Sequence, residues 1–302
     1  MKKIKKIVRK SSFMTMALYL FRNVAYKLNP EWVVKINFKR RAGYTPNLDN
    51  PKSFNEKLQW LKLYWRDPKA SRCSDKYSVR EYVKSCGYEH ILNSLIGVYD
   101  NVNDINFDTL PNKFVLKATH GSGMNIICTD KSRLDIKKTK KTMDKWLKQN
   151  YYYHSFEWVY KDIKPRIICE KFIETKDKKP PKDYKLFCFD GIPKMLFVAS
   201  NRGKGTTKFD FYDCNWELLN LKQHYPNSGQ KEDKPKELEE MLTIASRLSE
   251  GFPQVRIDFF CENGEILLSE MTFFHFSGNQ PFEPIEYDYK MGEWLQLPHY
   301  KV

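Results

Sequence analysis

Two acidic residues stand in runs that are otherwise apolar. Asp258 interrupts Gln254-Val-Arg-Ile-Asp-Phe-Phe-Cys261, and Glu270 closes Gly264-Glu-Ile-Leu-Leu-Ser-Glu270. Burying a carboxylate costs several kcal/mol unless something positive pairs with it. Two readings follow. Arg256 and Arg247 could satisfy the acids as structural ion pairs, or the acids could hold Mg2+, which takes carboxylates together with phosphate oxygens. Register decides between them. A three-residue loop (Glu262, Asn263, Gly264) with a bulge would put Arg256, Asp258, Leu268 and Glu270 on one sheet face; a two-residue turn would separate the acids. We expect the shared face.

A second candidate is Lys113-Phe-Val-Leu-Lys117-Ala-Thr-His120-Gly-Ser-Gly123-Met-Asn-Ile-Ile-Cys128. Its arms read as strands, and Gly121 and Gly123 would supply positive φ angles around Ser122. Backbone N–H groups in such a turn can converge on an anion, with Lys117 adding charge, which makes a phosphate cradle; the plain alternative is an ordinary hairpin. The chain contains neither a Gly-x4-Gly-Lys-Ser/Thr loop nor a strand-GxGxxG-helix unit. Lys185 lies two residues beyond Asp183 on the same strand face and is a candidate contact for an acidic substrate or a simple exposed lysine. His120 would touch phosphate or cap the loop, and His275, beside Ser277-Gly278, would face substrate. His90, His154, His224 and His299 read as structural or surface residues.

These residues need two sets of strands to position them. Helices are expected over Asn50–Trp65, capped by Ser53 with Phe54, Leu58, Leu61 and Trp65 as its apolar stripe, and from Ser74 to about Ser85. A lysine-rich helix is expected over Asp135–Gln149, burying Ile136, Met143, Trp146 and Leu147, and another from Pro235 to Ser249. Strands are expected near Leu92–Val98, over Arg166–Ile173, and as a hairpin from Asp183–Phe189 through Asp190-Gly191 to Ser200. Residues 201 to 234 read as a mobile polar excursion with short strand pieces near Phe209–Tyr212.

The 302 residues, 41% hydrophobic, suffice for about two domains. Seven cysteines, an odd number without close spacing, argue for free and mostly buried thiols in a reducing compartment, not for disulfides or zinc. The net charge of +15 suggests a nucleic-acid binder until it is divided: residues 1 to 45 carry +11 and the rest only +4. Residues 1 to 40 contain an apolar run about half a bilayer span long. They read either as a basic amphipathic helix on an anionic membrane surface or as a helix packed on the body, with no nucleic-acid partner.

The order of these parts resembles the ATP-grasp superfamily. Asn55-Glu-Lys-Leu-Gln-Trp60, Ser74-Asp-Lys-Tyr77, Lys117-Ala-Thr-His-Gly-Ser-Gly123, Asp183-Tyr-Lys-Leu-Phe-Cys-Phe-Asp-Gly191 and Ser269-Glu-Met-Thr-Phe273 resemble its TupA-like branch, found in teichuronopeptide and capsular polysaccharide gene clusters. The resemblance spans about residues 45 to 295. It implies an α+β ATP-grasp fold in which two subdomains (113–173 and 174–302) grip ATP between antiparallel sheets, preceded by a helical region (46–112) and the basic segment (1–45).

The resemblance also implies roles. Lys76 and Lys117 would contact ATP phosphates under a lid formed by Gly121, Ser122 and Gly123. Glu170, Lys171, Phe172 and Ile173 would form the hinge that meets adenine, Asp183 would take the ribose hydroxyls, and Leu268 would adjoin the nucleotide. Asp258 and Glu270 would hold Mg2+, and Arg256 would lie near the transferred phosphate. Thr272 replaces the usual asparagine of the last metal position, so Asn279 could complete that site. The implied activity is carboxylate–amine ligation through an acyl phosphate, joining an amine to a uronic acid of a surface glycan, in the cytoplasm or on the inner membrane face. A glycosyltransferase, disfavoured by the lack of Asp-x-Asp, an ATP-grasp sugar kinase and a non-catalytic nucleotide-binding or membrane scaffold are the rivals.

Overall fold

The computed structural model describes residues 23–176, 178–201 and 207–299. Of the basic segment read for residues 1 to 45, residues 1 to 22 lie outside them. Among the described residues no helix is long and apolar enough to cross a membrane. All seven cysteines are free; Cys73, Cys128, Cys169 and Cys188 are buried and the other three half-buried.

The small sheet holds β1 (Leu95–Tyr99), β2 (Phe114–Ala118), β3 (Asn125–Cys128) and β4 (Ile167–Lys171) in the order β1-β4-β2-β3. The large sheet holds β5 (Asp183–Phe189), β6 (Ile192–Ser200), β7 (Lys208–Asp213), β8 (Val255–Glu262) and β9 (Glu265–Thr272) in the order β7-β6-β5-β8-β9. Every pairing is antiparallel. With the helices this is the expected α+β arrangement of two antiparallel sheets.

Helix α1 (Pro30–Ala42) opens on Asn29, which accepts from Trp32 N–H, and closes on Gly43 at φ 87°, leaving Lys39, Arg40 and Arg41 in its last turn. Cations are favoured there by the carbonyl-rich end of the helix dipole. Helix α2 (Phe54–Tyr64) has a full capping box between Ser53 and Glu56 and buries Phe54, Leu58 and Leu61, the expected stripe. The expected single helix from Ser74 is split: α3 (Pro68–Ser74) ends there and α4 (Val79–Ser85) starts later. Asp75 causes the break, because its carboxylate takes Tyr77 N–H and Ser78 Oγ–H at 2.9 and 2.8 Å. The break frees Lys76 N–H to bond Thr119 O at 3.2 Å, tying it to the end of β2.

Helix α5 (Ile136–Leu147) buries Met143, half-buries Trp146 and Leu147 and leaves Ile136 exposed, contrary to expectation, because Ile136 begins its first turn. It packs with the small sheet in a core that includes Phe114, Leu116, Ile167 and Cys169. The larger core joins the five-stranded sheet to α2, α3, α4, α6 (Leu238–Ser249) and α7 (Glu286–Trp294). The expected mobile excursion contains a full edge strand: β7 pairs with β6 from Lys208 to Asp213, and Tyr212 stacks on Trp216 at 4.2 Å.

The β8–β9 turn is two residues, not the expected three: Glu262 pairs with Glu265 across Asn263 and Gly264, both at positive φ. Alone it would separate the acids. A bulge at Ser269 adds one residue to β9 and reverses the alternation, so that Arg256 faces Thr272 and Asp258 faces Glu270. The shared face therefore exists, for a different reason. Leu268 falls opposite Phe259, off that register.

Candidate active site

Cross-strand pairing builds the site. Lys185 on β5 is opposite Asp258, which is opposite Glu270; Phe187 is opposite Arg256, which is opposite Thr272. Directly paired residues share a face, so all of these project together, while Tyr184, Leu186 and Ile257 face the other way into apolar core. Asp258 is inaccessible. Arg256 clasps it with Nε to Oδ1 at 2.6 Å and Nη2 to Oδ2 at 2.7 Å, and Lys185 Nζ donates to the same Oδ2. Lys185 also meets Asp183 at 2.7 Å. Arg256 Nη2 further donates to Thr272 Oγ1 at 3.1 Å and lies 3.7 Å from Glu270. Arg256 is thus the acids' structural partner, whereas Arg247 instead pairs with Glu250 on the surface.

His275 does not face substrate. It is buried, its Nδ1 accepts from Arg256 Nη1, and its Nε2–H donates to Gln223 Oε1 at 2.6 Å. Burial and the adjoining Arg256 charge hold its pKa well below the ordinary histidine value, so it is a neutral prop for the guanidinium. Gln223 is held in turn by Gln280 O at 2.9 Å.

The small sheet contributes the other half. Lys117 pairs with Glu170 across β2 and β4 at 2.6 Å, and Arg80 reaches the same carboxylate at 3.8 Å. Lys76 Nζ donates to Gly121 O at 2.8 Å and stands 3.5 Å from Glu270. It touches the glycine turn and the acid of the large sheet at once. Within the turn only Gly123 has positive φ, 73°. Gly121 matters for a different reason: a Cβ there would meet the Tyr151 ring at 2.8 Å. His120 is buried, its Nε2 is 2.9 Å from Trp146 O, and burial lowers its pKa, so it packs under the turn instead of pointing at phosphate.

A cavity of about 600 Å³ opens on this face. Lys185, Arg256, Glu270, Thr272, Ser122 and Asn279 line it. Asp183 and Asp258 are fully buried behind it, so in this arrangement they anchor Lys185 and Arg256; a ribose contact by Asp183, or metal ligation by Asp258, would require those cations to move. Leu268 is not on the cavity wall. In the segment expected as the hinge, Lys171 N–H donates to Ser94 O and its carbonyl accepts from Asn93, each at 2.9 Å.

Among the described residues no cluster of three or more His, Cys, Asp or Glu side chains converges on one point. Mg2+ nonetheless often takes only one or two carboxylates and completes its shell with phosphate oxygens. Glu270 on the cavity wall, with Thr272 Oγ1 3.4 Å from its Oε1, fits that pattern. Asn279 is tied to Ser277 O at 2.9 Å.

Several contributors escaped sequence reasoning. Arg80 stands four residues after Lys76, a spacing that could have flagged it. Gln59, Lys62 and the α1 arginines carry no local signal, because only packing brings them to the cavity, and Gln223 is brought by packing to His275.

Comparison with known proteins agrees with the geometry. Residues 56–296 match the family described as TupA-like ATPgrasp. No curated protein matches the chain. Solved structures similar to it include the D-alanine–D-alanine ligase of Bacillus anthracis complexed with ATP, at 16% identity over 67% of this chain and 55% of that one, TM-score 0.39. Others are the L-amino acid ligase of Bacillus licheniformis, at 14% identity over 69% and 42%, TM-score 0.41, and the N5-carboxyaminoimidazole synthetase of Staphylococcus aureus complexed with ADP, at 14% identity over 75% and 53%, TM-score 0.42. The chain spans about half the length of these structures. With the family match covering most of its residues, the chain belongs to the TupA-like ATP-grasp family.

Proposed function

We propose that this protein is an ATP- and Mg2+-dependent carboxylate–amine ligase that modifies a uronic acid or related acidic sugar for a cell-surface polysaccharide. The observation that carries the reading is Lys76, bonded to the glycine turn and adjacent to Glu270, so that a triphosphate reaching from one sheet to the other meets its charge midway. Lys117 and Lys76 receive the phosphates, Phe172 and Ile173 the base. Glu270 and Thr272 would hold Mg2+, which when bound neutralises charge on the phosphate oxygens. A carboxylate oxygen attacks the γ-phosphorus and the bond to the ADP oxygen breaks; an amine then attacks the acyl phosphate, phosphate leaves, and the amine's proton passes to solvent. Arg256, held rigid by Asp258 and His275, stabilises charge on the transferred group, so catalysis is positioning and electrostatics.

Isothermal titration with ATP and Mg2+, followed by an ADP-release screen over uronic acids and amines, tests this. Nucleotide binding with amine-dependent ADP release is expected. Absence of nucleotide binding overturns the reading, and ADP with a stable phosphorylated sugar would replace it with a kinase.

A further inference from the structure

The part of the cavity lining contributed by α1 and α2 is built differently. Lys62 on α2 is buried, and its ammonium donates to Gln59 Oε1 at 3.1 Å, Ser277 O at 2.8 Å and Ser277 Oγ at 3.2 Å. All three acceptors are neutral. Among the described residues no ion pair engages Lys62, Arg40 or Arg41, although all three line the cavity, and across that part of the wall they meet a single carboxylate, Glu157. Burial pulls the Lys62 pKa down to about 8, Glu157 raises it and Arg41 lowers it further.

Beside Lys62 the backbone is in a rare conformation. Phe276, Ser277 and Gly278 all have positive φ, 43°, 58° and 61°, and Gln59 Nε2 holds the carbonyls of Ser277 and Gly278 at 2.9 and 2.6 Å. Such strain persists where surrounding contacts enforce it, and it concentrates at ligand sites. Next in the chain is Asn279, which is 8% exposed and lines the cavity, its Oδ1 buried and, among the described residues, without a hydrogen-bond partner. An unpaired acceptor in a cavity wall is complementary to a hydroxyl or ammonium donor. Phe209, Tyr225 and Phe276 supply apolar faces on the same wall.

We infer that Lys62, Arg40 and Arg41 form a second anion subsite, with Asn279 as an adjacent hydroxyl acceptor, and that the acceptor substrate is an acidic sugar bearing a second anionic group beyond the reacting carboxylate. This rests on the cavity being the acceptor site of the ligase proposed above. The reacting carboxylate lies at the Arg256 end and the second anion at the α1–α2 end. The volume is within the roughly 300–1,000 Å³ of small-molecule sites, and a buried ammonium without a counter-ion gains most from an anionic ligand. Helix α1 and its arginines lie before the family match, which begins at residue 56.

The test is isothermal titration of the full chain, with and without saturating MgADP, using glucuronic acid 1-phosphate, glucuronic acid, glucose 1-phosphate and glucose. We expect the sugar with two anionic groups to bind at least tenfold more tightly than either sugar with one. Lys62→Met, and independently the surface double variant Arg40→Gln/Arg41→Gln, should remove that preference while MgADP affinity stays within twofold. The double variant keeps the test decisive if Lys62→Met fails to fold. Equal affinities for all three anionic sugars, or a preference that survives the double variant, overturns the inference even if ATP turnover is intact. Preference for the sugar with two anionic groups without nucleotide binding upholds the subsite and overturns the ligase reading instead.

Discussion

Two buried lysines line one cavity and teach opposite lessons. Lys185 sits between Asp183 and Asp258, within a set of charges that answer one another. Lys62 is as deeply buried, and among the described residues its hydrogen-bond acceptors are all neutral oxygens. Charges that satisfy each other give rigidity, since each fixes its neighbour's geometry. A charge left unanswered gives affinity, because the desolvation it has already suffered is offset when an anion arrives. The paired wall positions; the unpaired wall selects.

The sharpest way to break this contrast is to make the paired wall resemble the other. Asp258→Asn should strand Lys185 and Arg256 without their shared counter-ion and destabilise the fold by about 3–5 kcal/mol, read from denaturant unfolding; a loss under 1 kcal/mol would mean that the network is not a structural anchor. Glu270→Gln acts where the acid is half-exposed on the cavity wall. It should lower ADP release by about a hundredfold or more, in the range found for removing one transition-state contact, with little change in melting temperature.

Titration sharpens the comparison from the other wall. Lys62 faces Glu157 and Arg41, and its pKa of about 8 means that its charge is present at neutral pH and lost as pH rises through that value. Affinity for anionic sugars should therefore fall, by about tenfold, between pH 7 and pH 9, and Lys62→Met should flatten the profile. Stability should move the other way. An unfolded lysine keeps its proton to about pH 10.4, so the unfolded chain binds more protons between those values and the folded state gains stability as pH rises. The smallest effect belongs to the turn between the two walls. Gly123→Ala meets open space but forces φ 73° on a residue with a Cβ, costing about 1 kcal/mol, whereas Gly121→Ala would displace the Tyr151 ring and so should weaken nucleotide binding more than stability.

Much of this was legible in the chain. Helix α2 and its cap, the β5–β6 hairpin, free buried cysteines and an acid pair on one face all follow from local pattern and from the energetic cost of carboxylates in apolar strands. Local pattern misjudged what depends on one residue in a register. The two-residue turn at Asn263-Gly264 would have separated Asp258 from Glu270, and a bulge at Ser269, silent in the alternation, brought them back together. It also misjudged which side chains answer each other: Arg247 went to Glu250 and His275 to Arg256.

The sequence by itself determined the family, the α+β class and the glycine turn between β2 and β3, because these depend on neighbours along the chain. Only the tertiary structure decided that Asp258 anchors cations behind the wall while Glu270 meets the cavity, and that no ion pair engages Lys62 among the described residues. Burial and pairing are properties of what surrounds a side chain in space, and residues more than two hundred positions apart, such as Lys62 and Ser277, supply that environment.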